Sequence, residues 1–148
     1  MADAYLQYYE AFHRWLAARN FAPSNEEDFV HPDDWATEYV QKLEFAERNE
    51  ELWQILGHLI GRAPTVDALA FVAAGPLENL MIGSGNRFVA ELRDLAFSDV
   101  RWEFALRCTY TTRMPESVVR LVDELNARDP EGAAAQRVRA ALERSSDI

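Results

Sequence analysis

The sequence contains few of the residues that most often bind metals or act in catalysis. Its 148 residues include one cysteine and three histidines. Cys108 alone can form neither an internal disulfide nor a multi-cysteine zinc site, which is typical of a protein in a reducing compartment. His13, His31 and His58 show neither HxxxH nor HExxH spacing. We therefore expect no metal, no cofactor and no catalytic residue.

Long apolar runs and basic residues are also scarce. Charged residues interrupt every apolar run well before the roughly 18–20 residues that cross a bilayer. The first segment, MADAYLQYYEAFHRWL, lacks the basic region and apolar run of a signal peptide, so we expect a cytoplasmic protein without a membrane partner. With 15 Lys and Arg against 25 Asp and Glu, the net charge is −10. Because basic side chains supply most nucleic-acid affinity, we expect no direct binding of nucleic acid.

The remaining composition is that of a helical globular domain. Hydrophobic residues make up 49% of the chain, and a length of about 150 residues is typical of one domain with one core. Apolar residues recur at spacings of three and four, and no segment shows the alternation of a half-buried strand. These patterns predict an all-α fold: a single compact domain of seven or eight helices in antiparallel pairs.

Three stretches of this predicted single domain, residues 1–148, have a distinct character. We expect an aromatic-rich first helix at 1–22, an acidic loop bounded by prolines at 23–32, and a frayed tail at 145–148. The first helix is either central in the core or offers an aromatic surface, for instance for a homodimer, because one helix face cannot cover all its rings. Those rings belong to Tyr5, Tyr8, Tyr9, Phe12, Trp15 and Phe21.

Prolines, glycines and capping residues predict where helices bend and begin. A proline inside the fourth helix removes a backbone donor, so we expect a kink at Gly75–Pro76. Gly83–Asn86 predicts a turn whose asparagine caps the next helix. A glycine turn before a helix can also hold an anion on its backbone N–H groups, so the segment through Arg87 has that second interpretation. The predicted caps of the third, fourth and sixth helices are Asn49, Thr65, and Ser98 or Asp99.

Negative charge is concentrated in the first part of the chain. Residues 1–56 hold 12 acids and 4 bases, whereas residues 57–148 hold 13 acids and 11 bases. Such a surface attracts and steers a basic protein. Catalytic carboxylates need partial burial, which this pattern does not indicate, so the alternative is an ordinary solvated surface. The predicted partner-binding residues are Glu26, Glu27, Asp28, Asp33, Asp34 and Glu38.

The segment Ala73–Leu80, AAGPLENL, resembles the signature block AAGPLE[D/N]L of an uncharacterised bacterial family of helical proteins. The flanks ELWQILGHLI, GSGNRFVAELRDLAFSD and VRWEFAL extend the resemblance over about residues 51–107. The resemblance implies a helical fold and a bacterial origin, and it brings no assigned activity. Members of that family often carry a histidine before the glycine of the turn, where this sequence has Ser84.

Two functions are compatible with these features. The first is a non-enzymatic, acidic protein-binding module, such as a bacterial inhibitor or immunity-type protein that neutralises a basic toxin or nuclease domain. The alternative is a small-molecule-binding helical protein or an enzyme with a pocket near Glu78, Arg87 and Trp102. Glu78 has no evident packing role in its block, so we expect it to pair with Arg87 or Arg93 or to face a ligand.

Overall fold

A computed structural model describes residues 1–18 and 31–146, and within these ranges the chain is helical with no strand. A π-helical segment, Ala73–Leu77, joins the fourth helix to the fifth, and a short 3-10 turn, Thr111–Arg113, precedes the seventh. The helices share one hydrophobic core, so the prediction of an all-α single domain is confirmed. They are α1 (Ala2–Ala18), α2 (Asp34–Phe45), α3 (Asn49–Arg62), α4 (Val66–Val72), α5 (Glu78–Ser98), α6 (Val100–Arg107), α7 (Glu116–Arg128) and α8 (Ala134–Ser146).

The aromatic helix α1 contributes one face to the core. Tyr5, Leu6 and Tyr9 are buried, and α1 packs against α2, α3 and α4. Tyr9 stacks on Phe71 of α4 with 4.1 Å between ring centroids, and its hydroxyl donates to the Asp67 carbonyl at 3.2 Å. The central position of α1 therefore accounts for part of its aromatic content. The end of the predicted first helix and the loop to residue 30 lie outside the described residues.

Pro76 bends the chain at the predicted place. Because proline has no N–H to donate, the regular helix cannot continue through it. The chain instead forms the π-helical segment, in which Gly75 has φ −111° and ψ −105°. Pro76 and Leu77 are buried, so the bend packs against the core. The kink at Gly75–Pro76 is confirmed, and π-helical segments of this kind are frequent at functional sites.

The predicted turn at Gly83–Asn86 is a kink inside α5 and not a loop between two helices. Helix α5 runs through it and bends only at Ser84, where φ is −141° and ψ 19°. A Cβ atom on Gly85 would lie 2.7 Å from a Val118 methyl group, so glycine is needed there for close approach of α7 and not for a turn. Asn86 accepts a hydrogen bond from Ser117 at 2.6 Å and caps no helix. A helix interior offers no free row of N–H groups, so the anion interpretation loses its basis.

Two of the three predicted caps form. The Thr65 side chain accepts from the Ala68 N–H at 3.1 Å, and the Asp99 side chain accepts from the Arg101 N–H at 2.8 Å. Asn49 instead donates to the Ser84 hydroxyl at 2.8 Å, which connects the start of α3 to the bend in α5. The local cap signal is therefore overridden there by a tertiary contact.

Asp129 joins the last three helices through the ionic network of the C-terminal half. Its carboxylate accepts from the backbone N–H groups of Ala133 and Ala134 at 3.0 and 2.8 Å, which caps the approach to α8. The same carboxylate lies 3.0 Å from Arg107 of α6 and 3.3 Å from Arg137 of α8. Helix α8 includes residues 145 and 146, and the last two residues of the predicted frayed tail lie outside the described residues.

The continuous helical run Val66–Ser98 is long and apolar enough to cross a membrane by length and composition alone. In its most apolar window, 44% is buried inside the fold. Core helices of soluble proteins meet the same criterion, so this run is weak evidence for a membrane span.

Candidate functional site

A groove lies between α2 and the kinked start of α5. It consists of two adjoining cavities that share Glu44 and Asn79, and we call them together the α2–α5 groove. The polar end, of about 260 Å³, is lined by Glu44, Glu47, Asn49, Leu52, Asn79, Leu80, Gly83 and Ser84. The aromatic end, of about 310 Å³, is lined by Tyr5, Tyr8, Phe12, Thr37, Val40, Gln41, Glu44, Phe71, Gly75, Pro76 and Asn79.

Glu44 lies at the junction of the two ends. Its Oε1 accepts a hydrogen bond from Asn79 Nδ2 at 3.3 Å, and it forms no ion pair with any described residue. Burial raises the pKa of Glu44 above its ordinary value, and the Asn79 hydrogen bond offsets only part of that effect. The groove thus contains a half-buried carboxylate that no cation of the described residues compensates.

Tyr5 lines the aromatic end from α1. It is 5% exposed, and its ring packs near Phe71 with 5.9 Å between centroids. The hydroxyl has no hydrogen-bond partner among the described residues. Because no fully buried side-chain polar atom lacks a partner in residues 1–18 and 31–146, this hydroxyl is accessible from the groove that Tyr5 lines. Burial and the nearby charge of Glu44 both raise the pKa of Tyr5. The groove therefore contains an accessible polar atom without a hydrogen-bond partner in the described part of the chain.

Glu47 lies at the polar end in an unusual backbone conformation. Its φ is 53°, the left-handed region that favours glycine. The Arg48 N–H donates to the Leu43 carbonyl at 3.0 Å, which is the hydrogen bond of a helix C-terminal cap with a left-handed residue at this position. A glutamate occupies a site where glycine is more stable, and strained residues of this type are often found at functional sites.

The predicted acidic surface is present on α2 as far as the structure describes it. Asp34 and Glu38 are exposed, and Asp33 is half-buried with its N–H donating to His31 Nδ1 at 3.2 Å. Glu38 lies 3.7 Å from Lys42, with both side chains largely in solvent. The remaining predicted contacts, Glu26, Glu27 and Asp28, lie outside the described residues.

Three large aromatic side chains are exposed on the same helix. Trp35, Tyr39 and Phe45 lie among these acids, and Phe45 is 85% exposed. Phe45 follows Glu44 in the chain but is not part of the groove lining. Aromatic side chains at a surface are enriched at the centres of protein interfaces.

The three residues of the alternative pocket contact different partners in the structure. Glu78 accepts from the Tyr110 backbone N–H at 2.9 Å, and Arg87 pairs with Glu50 of α3. Trp102 is buried against Trp53, with 5.3 Å between ring centroids. Each residue thus has a separate partner.

The prediction that Glu78 pairs with Arg87 or Arg93 is wrong, because both arginines pair with other acids. Arg93, the other expected partner, forms a bidentate pair with Glu124 at 2.6 and 2.8 Å. These pairs lie between helices that are distant in sequence, so spacing along α5 could not predict them.

Histidine, cysteine and carboxylate side chains in residues 1–18 and 31–146 form no group of three that could hold a metal ion. Cys108 is half-buried, and burial raises the pKa of its thiol, which keeps the sulfur protonated and weakly nucleophilic. The most distinctive chemistry of the described chain is therefore the pairing of an uncompensated carboxylate with aromatic and amide groups in the α2–α5 groove.

The fold and the groove define an all-helical protein with an acidic, aromatic-lined cleft beside a helical kink. The chain belongs to a family of unknown function, DUF6869, which matches residues 23–130. That match includes α2–α7 and most of the groove, while α1 and α8 lie outside it. Comparison with curated proteins and with solved structures found no match.

Sequence reasoning missed the groove. Glu44 was one acid among many, Tyr5 matched a core stripe, and Asn79 was part of the resembling block. The one local signal was the proline kink, because a bent helix leaves space beside it. The juxtaposition of these residues depends on how α1, α2 and α5 pack.

Proposed function

We propose that this protein is a non-enzymatic, acidic binding module for a basic protein, of the bacterial inhibitor or immunity type, acting in the cytoplasm against a toxin or nuclease domain. The observation that supports this most directly is the outer face of α2. There, exposed carboxylates and exposed aromatic rings are interleaved. The same face leads into the α2–α5 groove.

The charge of this face supports a basic partner. Helix α2 carries three acids, Asp34, Glu38 and Glu44, against the single base Lys42. The exposed Lys42 compensates only one of these acids, so the side chains of the helix keep a net negative charge. A negative surface of this type accelerates association with a positive one and penalises acidic partners.

The aromatic rings supply contact area that charge alone does not. Trp35, Tyr39 and Phe45 expose apolar surface on a helix whose other face is in the core. Interface binding energy is concentrated in a few aromatic and arginine side chains, with a polar rim around them. A basic protein with an apolar recess would therefore bind this face by both charge and ring burial.

We further propose that AAGPLENL is a functional signature of the family. Its kink supplies Gly75, Pro76 and Asn79 to the groove wall. Asn79 holds Glu44 in place through its amide. Replacing Asn79 by Leu should then reduce partner binding more than it reduces stability, as measured by affinity and thermal unfolding on the same preparation.

The proposal is tested by capture from a lysate of the source organism at low and high salt, followed by identification of the complex by intact mass. Association kinetics are then measured on the purified pair. We expect a basic partner in a defined stoichiometry and an association rate that falls steeply with salt.

Neutral variants locate the surface. Asp33→Asn, Asp34→Asn and Glu38→Gln together should slow association roughly three- to tenfold. The matched control neutralises three exposed acids of the C-terminal half, Glu116, Asp123 and Glu131, with the same change in net charge. Equal slowing by both triple variants, or a partner that is not basic, would contradict the proposal. A separate Glu26→Gln, Glu27→Gln, Asp28→Asn variant tests the predicted contacts that lie outside the described residues.

A further inference from the structure

We infer that the α2–α5 groove is a binding site for one arginine side chain of the basic partner, with the guanidinium group held between the Glu44 carboxylate and the Tyr5 hydroxyl. The source of that arginine rests on the proposed function. The site itself rests on three observations: an uncompensated carboxylate, an unpartnered hydroxyl, and a cavity of suitable size and lining.

The carboxylate provides the charge complementarity. Glu44 is half-buried, accepts one neutral amide hydrogen bond, and has no ion-pair partner among the described residues. A carboxylate accepts at both oxygens, so one neutral donor leaves acceptor capacity unused. A cation that enters the groove would supply the missing charge-assisted hydrogen bonds, which are about twice as strong as neutral ones.

The Tyr5 hydroxyl provides a second, independent indication of a ligand. It is on a side chain that is 5% exposed and that lines the groove, and no described residue bonds to it. It lies near Glu44, because Tyr5 and Glu44 line the same end of the groove. An N–H group placed between them would donate to the hydroxyl oxygen as well as to the carboxylate.

The size and lining of the groove favour arginine over a compact ammonium group. The aromatic end has a volume of about 310 Å³ and is bordered by the rings of Tyr8, Phe12 and Phe71. A guanidinium group is planar, carries five donors and stacks on aromatic faces, whereas a lysine ammonium is a strongly hydrated point charge. The amide oxygen of Asn79 remains as an additional acceptor, because its nitrogen donates to Glu44.

The test uses N-acetyl-L-arginine methylamide, with the citrulline analogue as the neutral control of nearly equal shape. Both are titrated into the full-length, isotopically labelled chain at constant ionic strength, and backbone amide shifts are followed by NMR. We expect the arginine probe to shift the amides of residues that line the groove, with a dissociation constant on the order of 1 mM. The citrulline probe should leave these signals unchanged.

Two isosteric variants test the two contacts. Glu44→Gln should weaken the arginine probe at least about tenfold, whereas Glu38→Gln on the same helix, with the same loss of charge, should not change it. Tyr5→Phe should weaken it about three- to tenfold while stability stays equal or rises, because the lost hydroxyl bonds to none of the described residues. Tyr39→Phe is the matched control for an exposed hydroxyl on α2.

Two results would overturn the arginine site. One is that the citrulline probe shifts the backbone amides of the groove as much as the arginine probe does. The other is that the arginine probe still shifts these amides in the Glu44→Gln variant. The probe requires no partner protein, so the two proposals fail separately. A partner that binds normally while the probe does not bind would overturn the arginine site alone. Probe binding to the groove in a protein that captures no basic partner would overturn the proposed function alone.

Discussion

Asp129 and Glu44 are both carboxylates withdrawn from solvent, but their surroundings differ. Asp129, 9% exposed, receives two backbone N–H groups and two arginines, and these partners, the Ala133 N–H first, hold the pKa of its carboxyl below the usual range. Glu44 receives one amide, and burial raises its pKa. The first carboxylate is used to hold helices together, whereas the second remains available to a positive group from outside.

The network between α6 and α8 and the acids of α2 show the same difference. Between α6 and α8, Arg107 and Arg137 satisfy both Glu103 and Asp129 in one network. On α2, by contrast, three carboxylates stand against the single base Lys42. The network between α6 and α8 is therefore closed, whereas Glu44 on α2 has no ion-pair partner among the described residues.

The largest expected effect comes from breaking the internal network. Asp129→Asn removes the charge that faces Arg107, whose side chain is only 12% exposed, and leaves a poorly solvated cation. We expect the midpoint of thermal unfolding, followed by circular dichroism at pH 7, to fall by roughly 10 °C. The exposed pair between Glu116 and Arg120 is the control. Glu116→Gln should shift the midpoint by less than about 2 °C. Similar losses in both variants would show that the network has no special role.

Two glycines of α5 test how this helix packs, since Gly85 faces α7 and Gly83 lines the groove. Gly85 faces α7, and an added methyl group would lie 2.7 Å from Val118, whereas a methyl group added to Gly83, at the groove, would meet nothing within 4 Å beyond the backbone of its own helix. Gly85→Ala should therefore destabilise by about 1–3 kcal/mol. Gly83→Ala should stabilise by about 0.5–1 kcal/mol, because alanine is the better helix former. Urea unfolding of both variants measures the difference, and the same sign for both would contradict the packing of α5 on α7.

Lowering the pH should change the contributions of Asp129 and Glu44 to the stability of the fold in opposite directions. The pKa of Asp129 is lowered in the fold, so its stabilising effect is complete above its ordinary value of about 3.9 and is lost as pH falls through the lower folded value. The pKa of Glu44 is raised, so its effect on stability is adverse at neutral pH and is relieved as pH falls through that raised value. Unfolding midpoints from pH 7 to pH 3 should show a flatter acid limb for Asp129→Asn than for the native chain. Glu44→Gln should remove the small gain in stability that protonation of Glu44 gives the native chain as the pH falls towards about 4. Identical profiles of unfolding midpoint against pH for all three proteins would contradict the difference between the two carboxylates.

The last expected effect concerns the strained end of the groove. Glu47→Gly should stabilise by about 1 kcal/mol, because glycine adopts the positive φ of 53° without a steric penalty. Glu47→Gln keeps that conformation and removes only the charge, so its unfolding free energy should equal that of the native chain. Chemical denaturation of the two variants measures this difference. A destabilised Glu47→Gly would show that the glutamate side chain contributes a structural contact.

The local signals at Asn49 and at Gly83–Asn86 fail for the same reason. Asn49 and Gly83–Asn86 have the local character of a cap and a turn, but their groups are satisfied by distant partners. Asn49 bonds to Ser84, and Gly85 admits the start of α7. A local signal is followed only where no tertiary contact competes with it.

Residues close together in the chain are enough to specify the helical class, the kink at Gly75–Pro76, and the caps at Thr65 and Asp99, because each depends on neighbours within about one helical turn. The uneven distribution of charge along the chain also follows from the sequence, because it requires only a count of acidic and basic residues in each part. Which carboxylates are neutralised and which are not depends instead on how the helices pack. Tyr5, Glu44 and Asn79 meet across separations of more than thirty residues, and the packing of α1 and α2 beside the kinked start of α5 brings them into one groove.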